Sequence, residues 1–384
     1  MRRTATAAGE TLPAIEKLGR RPPLDGLRGL AAISVILVHS RVAPFVSGQV
    51  GVDMFFVLSG FLITSVLLEQ IAHGRYTYAK FLERRARRLL PAYFVVMLSA
   101  LVIEQIWPMG GTEHGAFLGF FYVANWWQAL TGGGLGLLGH TWALQIEEQF
   151  YVLWPLLLVA LIIWTRGRLP RLAAAIIGIG CVSIAARFFL WGTGASWQRI
   201  EFGTDTRVAS LLFGCAAGVL LARSRAAFTG RTARAWNVAG IAALVALATG
   251  TTFSLEEGNT FFLGMSLKWP AVTAIALVAI VAVVRVPDGS AARFLSNRPL
   301  MAVAEISYGL YLWHFLVLAE LDQHFGLQHW WVRITGWALT AALAVASYKL
   351  IEQPALHASF ASITARFRRS AAPSDADGAL NEAA

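Results

Sequence analysis

The stretch Gly51-Val52-Asp53-Met54-Phe55-Phe56-Val57-Leu58-Ser59-Gly60-Phe61-Leu62-Ile63-Thr64-Ser65-Val66-Leu67-Leu68 decides the fold. It holds one ionisable side chain, Asp53, and no proline. A helix over 51–71 would be about 30 Å long, the thickness of a bilayer's hydrocarbon core. Comparable runs recur at 27–46, 89–107, 144–164, 171–191, 206–222, 236–252, 266–284, 302–320 and 332–350. The sequence therefore predicts an all-α, polytopic membrane bundle of about ten transmembrane helices. Composition agrees: of 384 residues, 57% are hydrophobic and 14% charged, against about 25% charged in soluble proteins. So few polar side chains cannot cover a water-facing surface.

Basic residues orient the bundle. Lysine and arginine gather in 1–28, 72–88, 165–171, 223–235, 285–298 and 349–384; of the 32, only Arg41, Arg187, Arg199, Arg207, Lys268 and Arg333 lie elsewhere. With the N-terminus inside, every inner segment is basic. Both termini are then cytoplasmic, and the chain is a multi-pass protein of the cell (inner) membrane. The same placement explains the net charge of +10 without nucleic acid. An extra span at 113–130 would put Arg166, Arg168 and Arg171 outside, so 108–141 reads as an outer loop. Its aromatic run Phe117–Trp127 lies in the interface or re-enters, and the glycines between Gly132 and Gly139 loosen its end. Residues 1–21 and 356–384 read as disordered cytoplasmic tails around one membrane domain at 22–355. The polar N-terminus and a first apolar run long enough to span argue against a cleaved signal peptide. Cys181 and Cys215 read as small buried hydrophobes, and no metal site is expected.

Ionisable groups inside spans are costly, so each marks a candidate site. Arg28 and His39 share the first span. Eleven residues is about three helical turns, so both lie on one face, about 16 Å apart along the axis. An anion anchor at the inner end with a base deeper in suits a long, phosphate-bearing donor; a histidine bonded to a neighbouring helix fits the pattern as well. Arg84-Arg85-Ala86-Arg87-Arg88 carries four guanidinium groups in five residues, which serves either as a topological anchor or as a phosphate site. In His140-Thr141-Trp142-Ala143-Leu144-Gln145-Ile146-Glu147-Glu148-Gln149-Phe150-Tyr151, two glutamates enter an apolar helix, with Glu147, Tyr151 and Trp154 on one face. They act in chemistry or pair with an arginine. Asp53, Asp205, Arg207 and His314 are weaker, supporting polar positions.

In this order the segments resemble the acyltransferase 3 family of integral membrane O-acyltransferases, from about Leu24 to Pro354. The resemblance rests on Leu24-Asp25-Gly26-Leu27-Arg28-Gly29-Leu30 leading to His39; Gly51–Phe61; the arginine cluster running into Leu89-Leu90-Pro91; His140–Tyr151; Ile306-Ser307-Tyr308-Gly309-Leu310-Tyr311-Leu312-Trp313-His314; and Glu352-Gln353-Pro354. It implies transfer of an acyl group, usually acetyl, from cytoplasmic acyl-CoA as co-substrate, with no bound cofactor, to a hydroxyl of a carbohydrate or glycoconjugate such as cell-surface polysaccharide. The family's Arg-x10-His motif falls on Arg28 and His39, its Arg-x-x-Arg motif on Arg85 and Arg88, and its paired glutamates on Glu147 and Glu148. The chain departs from the family at Ala143 and Gln145, where serine is common, and at Ala304 and Glu305, where glycine and a basic residue are common. The C-terminal SGNH domain of many relatives is expected to be absent.

These expectations make His39 the general base, oriented by a carboxylate such as Glu147, with Glu148 beside it. Arg28, Arg85 and Arg88 would hold the CoA phosphates. Alternatives are acylation of a macrolide-like metabolite, a transporter of acyl groups or glycolipids without transferase chemistry, and a non-catalytic scaffold or sensor.

Overall fold

The computed structural model describes residues 2–42, 49–250 and 260–357. The described residues are helical, with no strand. A helix stands at each of the ten expected positions. In chain order, α1 (Arg2–Thr11) precedes α2 (Pro22–His39), α3 (Gln49–Ala72) and α4 (Tyr78–Ile106). Two short helices follow, α5 (Thr112–Phe120) and α6 (Ala124–Thr131), then a 3-10 turn at Gly136–Thr141 leading into α7 (Trp142–Trp164). Next come α8 (Leu169–Gly192), α9 (Trp197–Phe202), α10 (Thr204–Leu220), α11 (Gly230–Gly250) and α12 (Thr260–Arg285). The chain continues through α13 (Ser290–Leu295), α14 (Arg298–Glu305), α15 (Ser307–Phe325) and α16 (Trp330–Ser347), and a π turn leads to α17 (Gln353–His357).

Seven of these helices are long and apolar enough to cross a membrane, eight if α14 and α15 form one bent span. α2 and α10 complete the expected ten as shorter helices of 18 and 17 residues. Both carry charge, and both are packed against α3 in the interior. The contact between α3 and α10 depends on glycine: a Cβ on Gly60 would strike the Leu211 carbonyl, and one on Gly214 the Val57 carbonyl. Backbones approach this closely only where side chains vanish.

Several boundaries differ from expectation. α4 begins at Tyr78, so the arginine cluster is helical, and the Arg-x-x-Arg spacing places Arg85 and Arg88 on one face. The ninth span is broken, with α14 and α15 meeting at 71° around Ile306. The Ala304 carbonyl there accepts from the Ser307 hydroxyl (2.8 Å) and from Arg28 Nη2 (3.0 Å), and side chains inserted at a carbonyl break a helical ladder. The 108–141 loop contains two short helices, neither long enough to cross, with Phe117, Phe120 and Phe121 exposed as in an interfacial belt.

The N-terminal segment, expected as a disordered cytoplasmic tail, carries α1. α1 packs on α3 and α7 with Ala5 and Ala8 buried, Ile15 and Leu18 are buried beyond it, and the Arg225 amide donates to Glu16 Oε2 at 2.6 Å. Alanines three residues apart form a narrow apolar stripe that bulk composition conceals. In the other tail, 358–384 lies outside the described residues. Cys215 is buried, but Cys181 is exposed on α8.

Candidate active site

A cavity of 590 Å³ lies among α2, α3, α4, α7 and α15. Arg84, Arg85, Arg87, Arg88 and Gln70 line its basic end; Ser59, Glu147, Glu148 and Tyr151 line its middle; Val52, Phe55 and Tyr311 lie toward the opposite end. Five of the expected site residues line it: Arg28, Arg85, Arg88, Glu147 and Glu148.

The guanidinium groups are not equally committed. Arg28 Nε donates to Ser307 Oγ (3.1 Å) and its Nη2 to the Ala304 carbonyl, with Asp25 at 3.4 Å. Arg85 lies over the Tyr151 ring, 3.5 Å from its centroid. Arg87 pairs with Glu83, and Arg84 Nη2 donates to Gln70 Oε1 at 3.4 Å. Arg88 forms no hydrogen bond or ion pair with a described side chain, and it lines the cavity. Four cations facing one volume, with both glutamates further in, form a basic mouth suited to phosphate oxygens.

Glu147 and His39, expected as a pair, form no hydrogen bond or ion pair with each other. Glu147 Oε1 accepts from the Ser59 hydroxyl at 2.7 Å. α3 supplies this partner where Ser59 interrupts an apolar run, so its sequence signal was one of three hydroxyls inside a span, with Thr64 and Ser65.

His39, His140 and His314 do not line the cavity, and they form a cluster of their own. The ring centroids of His39 and His314 are 5.0 Å apart, and those of His140 and His314 are 5.3 Å apart. Phe315 packs on His39 at 5.5 Å and stacks on His140 at 5.0 Å. Tyr311 joins cluster and cavity: it lines the cavity, its ring lies 5.6 Å from His140 and from His314, and its hydroxyl donates to the His140 carbonyl at 2.6 Å. Sequence spacing alone did not bring α2, α15 and the α7 entry together.

Two of the remaining polar candidates, Asp53 and Arg207, belong to a buried charge network. Arg207 Nη2 lies 3.3 Å from Asp53 Oδ1 and 3.9 Å from Glu201, and Arg187 stacks over Trp269 at 3.0 Å. Ser210 donates to Asp53 Oδ1 at 2.9 Å. Burial pushes the Glu201 carboxyl up to about 7, against the pull of Arg207 and Arg187. Asp205 is not part of this network: both its oxygens bind Arg199, at 2.6 and 2.8 Å. Arg187 was legible as a charge inside the 171–191 run, whereas Glu201, on a short outer helix, was not.

A polytopic bundle with a basic-mouthed cavity that reaches a tyrosine in contact with two of three clustered imidazoles is the candidate site of a membrane-embedded transferase. Residues 22–349 match the family described as "Acyltransferase domain", and the chain belongs to this acyltransferase 3 family. It is 33% identical over 353 residues to the peptidoglycan O-acetyltransferase OatA of Listeria monocytogenes, covering 87% of this chain and 55% of that protein. A Bacillus subtilis protein, YrhL, provisionally named for the same activity, is 33% identical over 361 residues, covering 90% and 56%. A Staphylococcus aureus protein provisionally named an O-acetyltransferase is 30% identical over 353 residues, covering 88% and 58%. The chain thus spans a little over half the length of these curated relatives. No solved structure matches it.

Proposed function

We propose that the chain is an O-acetyltransferase of the cytoplasmic membrane that moves acetyl from cytoplasmic acyl-CoA to a hydroxyl of a cell-wall polysaccharide, with peptidoglycan the acceptor to test first. The observation that carries this reading is the cavity, with four arginines of α4 at one end and Tyr311, in contact with the histidines, at the other. Family membership and the relatives' names favour transfer over transport.

In this reading the CoA phosphates rest at the arginine end and the pantetheine arm runs between α3, α7 and α15. His39 is the base. Its Nδ1 faces the Val35 carbonyl at 2.9 Å, and a carbonyl only accepts, so Nδ1 carries the hydrogen and Nε2 keeps its lone pair. Nε2 takes the acceptor's hydroxyl proton as that oxygen attacks the thioester carbonyl. The C–S bond breaks, its electron pair passes to sulfur, and the thiolate regains a proton. Glu147 and Glu148 stand along the donor's path, not against His39.

The test uses purified protein in nanodiscs with radiolabelled acetyl-CoA and soluble peptidoglycan fragments. Label should appear as base-labile ester on the glycan. His39→Ala should abolish it while the protein still accumulates. Full activity of His39→Ala would remove the base assignment, and label uptake into vesicles without ester formation would favour transport.

A further inference from the structure

The histidine cluster contains more than a single base requires. His314 is fully buried. Its Nδ1 lies 2.6 Å from the Tyr311 carbonyl and 3.2 Å from that of Leu310, so this nitrogen carries the hydrogen. Its Nε2 is then a lone-pair acceptor, buried and without a hydrogen-bond partner among the described residues. His140 is arranged alike: Nε2 donates to the Leu312 carbonyl at 3.1 Å, and its buried Nδ1 forms no hydrogen bond of ordinary geometry among the described residues. Each of the three rings thus has one nitrogen satisfied by a backbone carbonyl, and among the described residues no carboxylate forms an ion pair or hydrogen bond with the cluster. A buried acceptor without a donor is a cost that folded proteins normally avoid.

Neutral imidazoles whose free nitrogens are all acceptors cannot bond to one another. One added proton changes this. Two imidazoles joined by an N–H···N bond have centroids about 5 Å apart, because each nitrogen lies about 1.1 Å from its ring centre and the bond itself is about 2.9 Å. The His39–His314 separation is 5.0 Å, with the rings at 65° and no hydrogen bond between them, so the bond would form on protonation by rotation of a ring.

We propose that His314 is a positioning residue for the transfer step, its buried acceptor nitrogen receiving the Nε2–H of His39 once His39 has taken the proton of the acceptor hydroxyl. This rests on the reading of His39 as the base. The sequence assigned the orienting role to a carboxylate. A second imidazole does the same without burying a negative charge in the resting bundle, where an unpaired ion is far costlier than an unpaired neutral group. The imidazolium is shared between two rings while the alkoxide oxygen forms the ester, and the proton then passes to the departing thiolate. His140, in contact with the far side of the pair, is the second neutral ring of the wall.

The experiment compares His314→Gln with His314→Met. Both side chains are unbranched and near histidine in volume, but only glutamine offers an acceptor oxygen. Nanodisc protein is assayed with acetyl-CoA and soluble peptidoglycan fragments, separating kcat from the donor KM. His314→Met should lower kcat by about a hundredfold, within the range of a proton-transfer group, with the donor KM unchanged, and His314→Gln should recover at least about tenfold of that loss. Equal activity of the two variants, at wild-type level or equally reduced, overturns the proposal. His39→Ala is run beside them. If it is inactive while both His314 variants are unimpaired, the base stands and the positioning role falls. If it is active, or if the wild type forms no ester, the underlying reading falls and this proposal with it.

Discussion

Arg88→Ala tests the donor end of the cavity most directly. Of the arginines lining the cavity, Arg28, Arg84, Arg85 and Arg87 already engage Ser307, Gln70, Tyr151 and Glu83, whereas Arg88 engages no described side chain by hydrogen bond or ion pair. Its five donors are therefore free for a phosphate. A hydrogen bond between charged groups contributes about 1.5–3 kcal/mol, which is about 10- to 150-fold in an equilibrium constant. Arg88 is exposed at the mouth, where screening applies, so the lower end holds: the acetyl-CoA KM should rise about tenfold with kcat within about twofold. The effect should shrink as ionic strength rises, and it should vanish with acetyl-dephospho-CoA if Arg88 meets the 3′-phosphate. Arg84→Ala, on the same turn but already bonded to Gln70, is the control. Equal KM values for the two variants, or a KM for Arg88→Ala that does not respond to salt, would refute the reasoning.

Three further outcomes follow from the packing. Tyr311→Phe removes the donor to the His140 carbonyl, leaving a buried acceptor unpaired at a cost of about 1–3 kcal/mol; kcat should fall while the donor KM holds, and an unchanged kcat would detach Tyr311 from the histidines. Asp53→Leu alone leaves Arg207 buried without its nearest carboxylate and should destabilise the bundle by about 3–5 kcal/mol in thermal unfolding, whereas Asp53→Leu with Arg207→Met should recover most of it. Gly214→Leu drives side-chain atoms into the Val57 carbonyl and should cost at least about 3 kcal/mol, read as loss of folded protein in the membrane.

The sequence made the ten helices legible because lipid imposes one rule on every span: its length, apolar content and basic inner flank. Candidate residues were legible where charge stands out: Arg28, Glu147 and Glu148 inside spans, and Arg85 and Arg88 as a cluster on an inner segment, and all five line one cavity. What sequence could not supply was pairing across helices. Glu147 was matched to His39, but its hydrogen-bond partner is Ser59, on another helix and 88 residues away in sequence. Asp205 and Arg207, two residues apart, looked like one feature, yet they face different partners, because adjacent helical positions but one point about 160° apart. The packing of α1 has little sequence signal, because two alanines suffice to dock a helix on a surface already apolar.

Arg28 sits where α14 breaks from α15, and His39 sits eleven residues along the same helix, against His314 of α15. The two helices are thus joined at both ends of the site, by an arginine rung at the inner end and an imidazole rung at the outer. Such a ladder fixes the register of α15 on α2. Shortening the inner rung, as Arg28→Lys would, lets α15 slide and spoils the outer rung, although nothing there has been altered. An arginine variant that loses turnover is therefore no proof of donor contact: in this molecule the same residue measures the distance at which His39 is held.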